Sequence, residues 1–332
     1  MASTIITVVF GALASLPSVP FASVPTPVEE MTRLRGALGG GPRLLVKRDD
    51  AIGFAFGGNK VRKMRLVAAD ALARQAETLI TCGGVQSNHA RVTAAAAARL
   101  GLRCVLVANG AAPARPTANA LLAKFLGAEI RYVPTREARA IEMETVAAAE
   151  RAAGREPYVI PIGASTPLGA AAYVHALTEL LEQIAPPDVI VHSTSSGGTQ
   201  AGLVAGCALA GIRTRVVGIS ADEPAATLAG DVRRILSGLA DLIGPGPDAH
   251  ARAIAAAEVE IDDRFVGDGY GVPTPQSREA IELLARTEAL FLDPTYTAKA
   301  MAGLLAALRA GDFKDADTVL FWHTGGQVAL FS

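Results

Sequence analysis

The chain has 332 residues, half of them hydrophobic, with 31 basic and 32 acidic side chains. That length and apolar fraction allow two domains of ordinary size with a sizeable core, and they exclude a disordered chain. The near-cancelling charge, with no block of one sign, excludes a phosphate-tracking nucleic-acid surface and leaves a small molecule as the expected ligand.

The first segment, MASTIITVVFGALASLP, is apolar, but the first basic residue is Arg33, so the positive flank of a signal peptide is missing. No uninterrupted apolar run approaches the roughly 20 residues of a membrane span. Cys82, Cys104 and Cys207 lie far apart in apolar segments with no CxxC spacing, as expected of buried reduced thiols in a reducing compartment. A cytoplasmic protein is expected. From residue 78, short β-rich runs alternate with Ala- and Leu-rich helical ones, the pattern of a parallel sheet covered by helices. TLIT (78–81), RCVLVA (103–108), EIRYV (129–133) and PYVIP (157–161) read as strands, separated by helices over NHARVTAAAAARLG, NALLAKFLG and REARAIEMETVAAAERAAG. A second series runs through DVIVHS (188–193), the helical AGLVAGCALAG, RVVGIS (215–220), VEI (259–261) and TVLFWH (318–323). Residues 222–255 read as mainly helical, with a GPGP break at 244–247. Two such series predict an α/β fold with a ligand-binding cleft between them.

Three segments can carry chemistry. Only six lysines stand against twenty-five arginines, and Lys60 alone follows a GGN turn, in FGGNKVRK, where glycines let the backbone pass close to a flat ligand. Spacing alone leaves Lys60 as either a helix-start surface charge or a reactive amine. Arg62 and Lys63 read as solvent or phosphate-edge charges, and Lys47 and Lys299 lack a glycine-shaped neighbourhood. STSSGGTQAGL (193–203) follows a strand and opens a helix, so its backbone N–H groups can cup an anion. It is neither a Walker loop nor a GxGxxG turn. CGGVQSNHAR (82–91) repeats that geometry, suiting a second anion such as an amino-acid carboxylate, although Ser87 or Asn88 could simply be an N-cap. The five histidines show no metal-ligand spacing, so no metal is expected.

An amine, a phosphate cup and a carboxylate turn in a two-domain cleft are together what a pyridoxal-phosphate enzyme requires. The segments PTPVEEMTRL, KRDD, FGGNKVRK, GGVQSNHAR, SSGGTQAGL, GYGVP, LDPTYTAKAMAGL and HTGG resemble, in order and spacing, the D-cysteine desulfhydrase and 1-aminocyclopropane-1-carboxylate deaminase family of fold-type-II pyridoxal-phosphate enzymes. The resemblance implies a tryptophan synthase β-like fold, a homodimer, and pyridoxal 5'-phosphate as cofactor. It implies a large cofactor-binding domain over 1–63 and 173–332 and a small domain over 64–172.

It further implies that Lys60 is the Schiff-base lysine and the acid/base at the substrate Cα, and that Asn88 bonds the cofactor's phenolic oxygen. Ser196, Gly197, Gly198 and Thr199 would bind the phosphate. Thr324 would face the pyridine nitrogen with Thr297 close by. Ser87, Asn88, His89, Tyr270 and Tyr296 would bind the substrate, with Ser87 and the two tyrosines also in the catalytic set. Ring-opening members of the family carry Glu at the position of Thr297 and Leu at that of Thr324. A neutral hydroxyl cannot keep the pyridine nitrogen protonated, so the threonines point to β-elimination: D-cysteine to pyruvate, hydrogen sulfide and ammonia. L-cysteate sulfo-lyase, the ring-opening deaminase and a non-catalytic binding module remain alternatives. Thr295 and Trp322 are departures that bear on the exact substrate.

Overall fold

The computed structural model describes residue 13 and residues 15–21, 24–243 and 248–332; the GPGP break and most of the apolar N-terminal stretch lie outside the described residues. The strands are β1 (Val28–Glu30), β2 (Arg43–Arg48), β3 (Thr78–Gly84), β4 (Arg103–Asn109), β5 (Glu129–Val133), β6 (Pro157–Ile160), β7 (Val189–Thr194), β8 (Arg215–Ser220), β9 (Glu260–Asp262) and β10 (Thr318–His323). The helices are α1 (Thr32–Ala37), α2 (Asn59–Ala73), α3 (Asn88–Leu100), α4 (Ala118–Phe125), α5 (Ala138–Ala152), α6 (Pro167–Gln183), α7 (Gly198–Ala210), α8 (Ala225–Ile243), α9 (Asp248–Ala256), α10 (Pro275–Glu288) and α11 (Thr297–Ala310).

The strands form a four-stranded sheet, β5-β4-β3-β6, and a six-stranded sheet, β1-β2-β10-β7-β8-β9. All neighbours are parallel except the β1–β2 pair. This is the expected α/β architecture of two mostly parallel sheets flanked by helices. The expected strands from TLIT onward are present, but β1 and β2 precede them and were not anticipated. The four-stranded sheet draws its strands only from 78–160, whereas the boundaries at 63/64 and 172/173 fall inside the continuous helices α2 and α6.

In the six-stranded sheet the two faces of β10 pack separately, as the two-residue period of a strand requires. Leu320 and Trp322 join Tyr173 and Leu177 of α6 and Leu203 of α7. Val319 and Phe321 join Leu284 of α10 and Met301 and Leu305 of α11. Burial on both sides explains why β7 and β10 read as near-continuous apolar runs rather than alternating ones. The carboxyl ends of β3, β7, β8 and β10 all reach one cavity, where open parallel sheets place their ligands.

Candidate active site

The cavity encloses about 480 Å³ and is lined by both sheets' loops. Lys60, the second residue of α2, lines it and is half-buried. The preceding Gly57 and Gly58 adopt φ of 69° and 99°, which an L side chain rarely takes. A Cβ on Gly58 would lie 2.8 Å from the Thr324 carbonyl oxygen. That close approach lets Asn59 N donate to Thr324 O at 3.0 Å and stitches the amine-bearing helix to the end of β10. Loss of hydration lowers the Lys60 pKa from 10.5 to about 8, so the free amine is accessible near neutrality.

The loop from β7 to α7 builds the anion cup. Gly197, the N-cap of α7, is left-handed (φ 76°, ψ −23°) and has no side chain with which to cap the helix. The Ser165 and Ser196 hydroxyls lie 2.7 Å apart, and Ser165 Oγ accepts from Gly198 N at 3.3 Å. Asn59 Nδ2 donates to Thr199 Oγ1 at 3.0 Å. Lys63, fully buried, points its amine at Gly163 O and Ser165 Oγ (3.3 and 3.4 Å). A Cβ on Gly198 would lie 2.7 Å from both Lys63 Nζ and Ser165 Oγ, so helix N–H groups, hydroxyls and an amine crowd a space that one methyl would fill.

Burial and the Lys60 charge push the Lys63 pKa well down, and a phosphate dianion beside it would restore its charge. Lys63 is thus not a solvated flanking charge. The readable signal was its spacing, since residues three apart share one helix face with Lys60. Of the two readings, solvent or phosphate edge, Lys63 takes the second, and Arg62 takes neither. It is buried and ion-paired at 2.8 Å to both Asp49 and Glu179. Asp49 also accepts from the Tyr173 hydroxyl at 2.6 Å and the Trp322 indole at 2.8 Å. Lys47 joins this network through Glu179 at 2.6 Å. Despite burial, the bonds from Arg62 and Lys47 hold Glu179 down at about 2.

At the second helix terminus, Ser87 caps α3 by accepting from Ala90 N at 3.2 Å, which leaves its own hydroxyl proton available to the cavity. Asn88 lines the cavity, with Oδ1 held by Asn119 Nδ2 at 2.8 Å. His89 Nε2 lies 2.8 Å from Thr81 Oγ1, whose single proton goes to Ile160 O at 2.8 Å. His89 therefore donates from Nε2, and burial with repulsion from Lys60 and Lys63 keeps the ring neutral.

On the opposite wall the Tyr270 and Tyr296 hydroxyls meet at 2.6 Å, and burial raises both phenols above their ordinary pKa. The Arg136 guanidinium lies 5.3 Å from the centre of the Tyr270 ring and pairs with Glu223 at 3.1 Å. Thr324 lines the cavity, but Thr297 does not; its buried hydroxyl donates to Asp293 Oδ1 at 2.7 Å. Trp322 and Thr295 also lie off the cavity wall: the indole turns to Asp49 on the α6 side, and Thr295 N donates to Asp293. The remaining predicted residues, Ser196, Gly197, Gly198 and Thr199, meet Lys60 across the same space. Arg136, Arg139, Ser165 and Asp222 also line it and were not anticipated.

Parallel sheets, an amine on the cavity wall and a helix-terminus cup opposite it define the class as a fold-type-II pyridoxal-phosphate enzyme. The pattern describing the family "pyridoxal-phosphate dependent enzyme" matches residues 19–325, and the chain belongs to that family. Its cofactor is pyridoxal 5'-phosphate, which the cup and amine fit. The crystal structure of an ACC deaminase homologue is similar at 34% identity and TM-score 0.88, over 97% of this chain and 96% of that one. Maize serine racemase (18% identity, TM-score 0.67, 98% and 93% covered) shares the fold. So does threonine deaminase isoform 2 from Solanum lycopersicum (17%, 0.69, 98% and 85%).

Proposed function

We propose that the protein is a β-elimination lyase acting on a small β-substituted amino acid, with D-cysteine as substrate and pyruvate, hydrogen sulfide and ammonia as products. We further propose that it works in the cytoplasm as a homodimer. What carries the lyase reading is Thr324: a hydroxyl lines the cavity at the end of β10 where the ring-opening members carry Leu, and Thr297, standing in place of their Glu, turns to Asp293, so neither position offers a carboxylate to hold the pyridine nitrogen protonated. A departing thiolate needs less help than a strained carbon–carbon bond.

Bound pyridoxal phosphate supplies the electron sink for the bond broken at Cα. Lys60, with its pKa near 8, is the base that takes the Cα proton. Ser87 donates its hydroxyl proton to the substrate carboxylate, and the neighbouring Asn88 amide orients the cofactor's phenolic oxygen. His89 stays neutral and shapes the same wall. Of the two tyrosine hydroxyls, one donates to the other, so one proton remains free to reach the leaving sulfur. The raised phenol pKa values keep that proton in place until it is needed. Ser196, Gly197, Gly198 and Thr199, with Lys63, hold the phosphate. Thr297 supports the wall from behind through Asp293.

A second reading, the ring-opening deaminase, draws support from the likeness to an ACC deaminase homologue. The test is holoenzyme incubated separately with D-cysteine, L-cysteine, D-serine, β-chloro-D-alanine, L-cysteate and 1-aminocyclopropane-1-carboxylate, with 2-oxo acids identified. Pyruvate with sulfide from D-cysteine is expected. Production of 2-oxobutanoate from the cyclopropane amino acid alone would replace the lyase with the deaminase. Coloured protein without turnover of any of them would make it a binding module.

A further inference from the structure

Away from the phosphate cup, three backbone carbonyls converge on one side-chain amine. Lys299, fully buried in the first turn of α11, donates to Ala221 O at 3.0 Å, Val266 O at 2.7 Å and Gly269 O at 2.8 Å. Three donated bonds require three protons, so this side chain is an ammonium; a neutral amine could serve only two acceptors. A cation in the first turn also opposes the helix dipole, so it does not stabilise α11 by its position. Its role lies with the carbonyls it gathers.

Two of those carbonyls adjoin cavity residues: Ala221 precedes Asp222, and Gly269 precedes Tyr270. Lys299 itself follows Tyr296 by three residues, one turn along the chain. The Tyr270 side chain meets Tyr296 and Arg136, but the backbone of its loop has few other bonds among the described residues. Gly267, Gly269 and Gly271 take φ of 63°, 120° and 78°, and the bonds Val266 N to Asp263 O and Val272 N to Gly269 O are both 3.3 Å. Glycines in such conformations are costly to order, so an external tie decides where the tyrosine sits.

We infer that Lys299 is a positioning residue: its ammonium clamps the tyrosine-bearing loop to the ends of β8 and α11 and thereby sets the Tyr270–Tyr296 hydroxyl contact. The functional consequence rests on the proposal that this tyrosine pair serves the reaction; the clamp itself does not.

Hydrogen–deuterium exchange on the holoenzyme separates the two. In Lys299→Met the three carbonyls lose their partner, and peptides covering 264–272 are expected to exchange about tenfold faster while those of β3 and α7 keep their rates and the cofactor band persists. Should the methionine variant fail to fold, Lys299→Gln, which keeps two donors, is measured in its place. Unchanged exchange over 264–272, or uniformly faster exchange in both sheets, overturns the clamp. The second arm follows oxo-acid formation from whichever amino acid is turned over. Lys299→Met is expected to lower kcat about 30-fold in the wild-type background, but less than about threefold alongside Tyr270→Phe, with KM little changed. Equal losses in both backgrounds would show that Lys299 does not act through Tyr270.

Discussion

The two helix termini that face each other across the cavity, α3 and α7, look alike in sequence: each follows a strand and opens on small hydroxyl and glycine residues. Their structures differ in one respect. At α3 the Ser87 side chain occupies a helix N–H itself, and Asn88 is tied to Asn119. At α7 a left-handed glycine replaces the capping side chain, and the donors converge with Lys63 on a gap. A terminus already capped from within can offer a hydroxyl to a singly charged group. One with no cap of its own, only a 3.3 Å bond from Gly198 N to Ser165 Oγ, and with the buried Lys63 amine beside it, suits a dianion. Cap occupancy thus distinguishes a carboxylate turn from a phosphate cup where residue type does not.

The comparison can be broken at several points. The largest effect is expected from Lys60→Ala, which removes the amine both termini serve: turnover should fall on the order of 10⁴-fold and the cofactor's long-wavelength band should vanish. Retention of that band would remove Lys60 from the site. Gly198→Ala comes next, because its methyl collides with Lys63 and Ser165 in the cup. Overpacking of about 3 kcal/mol there should weaken pyridoxal-phosphate binding roughly 100-fold in a fluorescence titration.

Cofactor uptake by apoenzyme should speed up about tenfold per pH unit as pH rises toward the Lys60 pKa of about 8, then level off, because burial disfavours the ammonium and only the free amine reacts. The sign for stability agrees: between about 8 and 10.5 the unfolded chain holds a proton the folded one has released, so apoenzyme stability from this group rises with pH over that window and is smallest below it. A rate that is flat from pH 6.5 to 9 would contradict the shift. The smallest change belongs to the other terminus. Ser87→Ala should leave cofactor affinity intact, raise KM about tenfold, and cost about 1 kcal/mol of stability by removing the cap. A loss of cofactor equal to that in Gly198→Ala would erase the distinction between the termini.

The run TVLFWH was legible as a strand, and so were the helices between strands, because period and composition are local properties of the chain. The strand β2 escaped because RLLVKR ends in charges, and a lysine seldom occupies a buried strand. Lys47 is tolerated there because Glu179, Gln183 and the Thr26 carbonyl, all distant in sequence, accept its protons. Lys299 escaped for the same reason: its partners are carbonyls rather than a charge that sequence could pair with it.

Local pattern fixes the order of elements from residue 78 onward, the two glycine-rich helix starts, and a lysine set behind GGN whose motif context names the cofactor. Folding alone selects which basic side chains are buried, sets Lys63 beside the cup and Arg62 in the Asp49 network, and brings Thr324 to the cavity while Thr297 and Trp322 turn away. The physical reason is that periodicity is written in neighbouring residues, whereas a buried charge is stable only beside partners that the fold brings from distant parts of the chain.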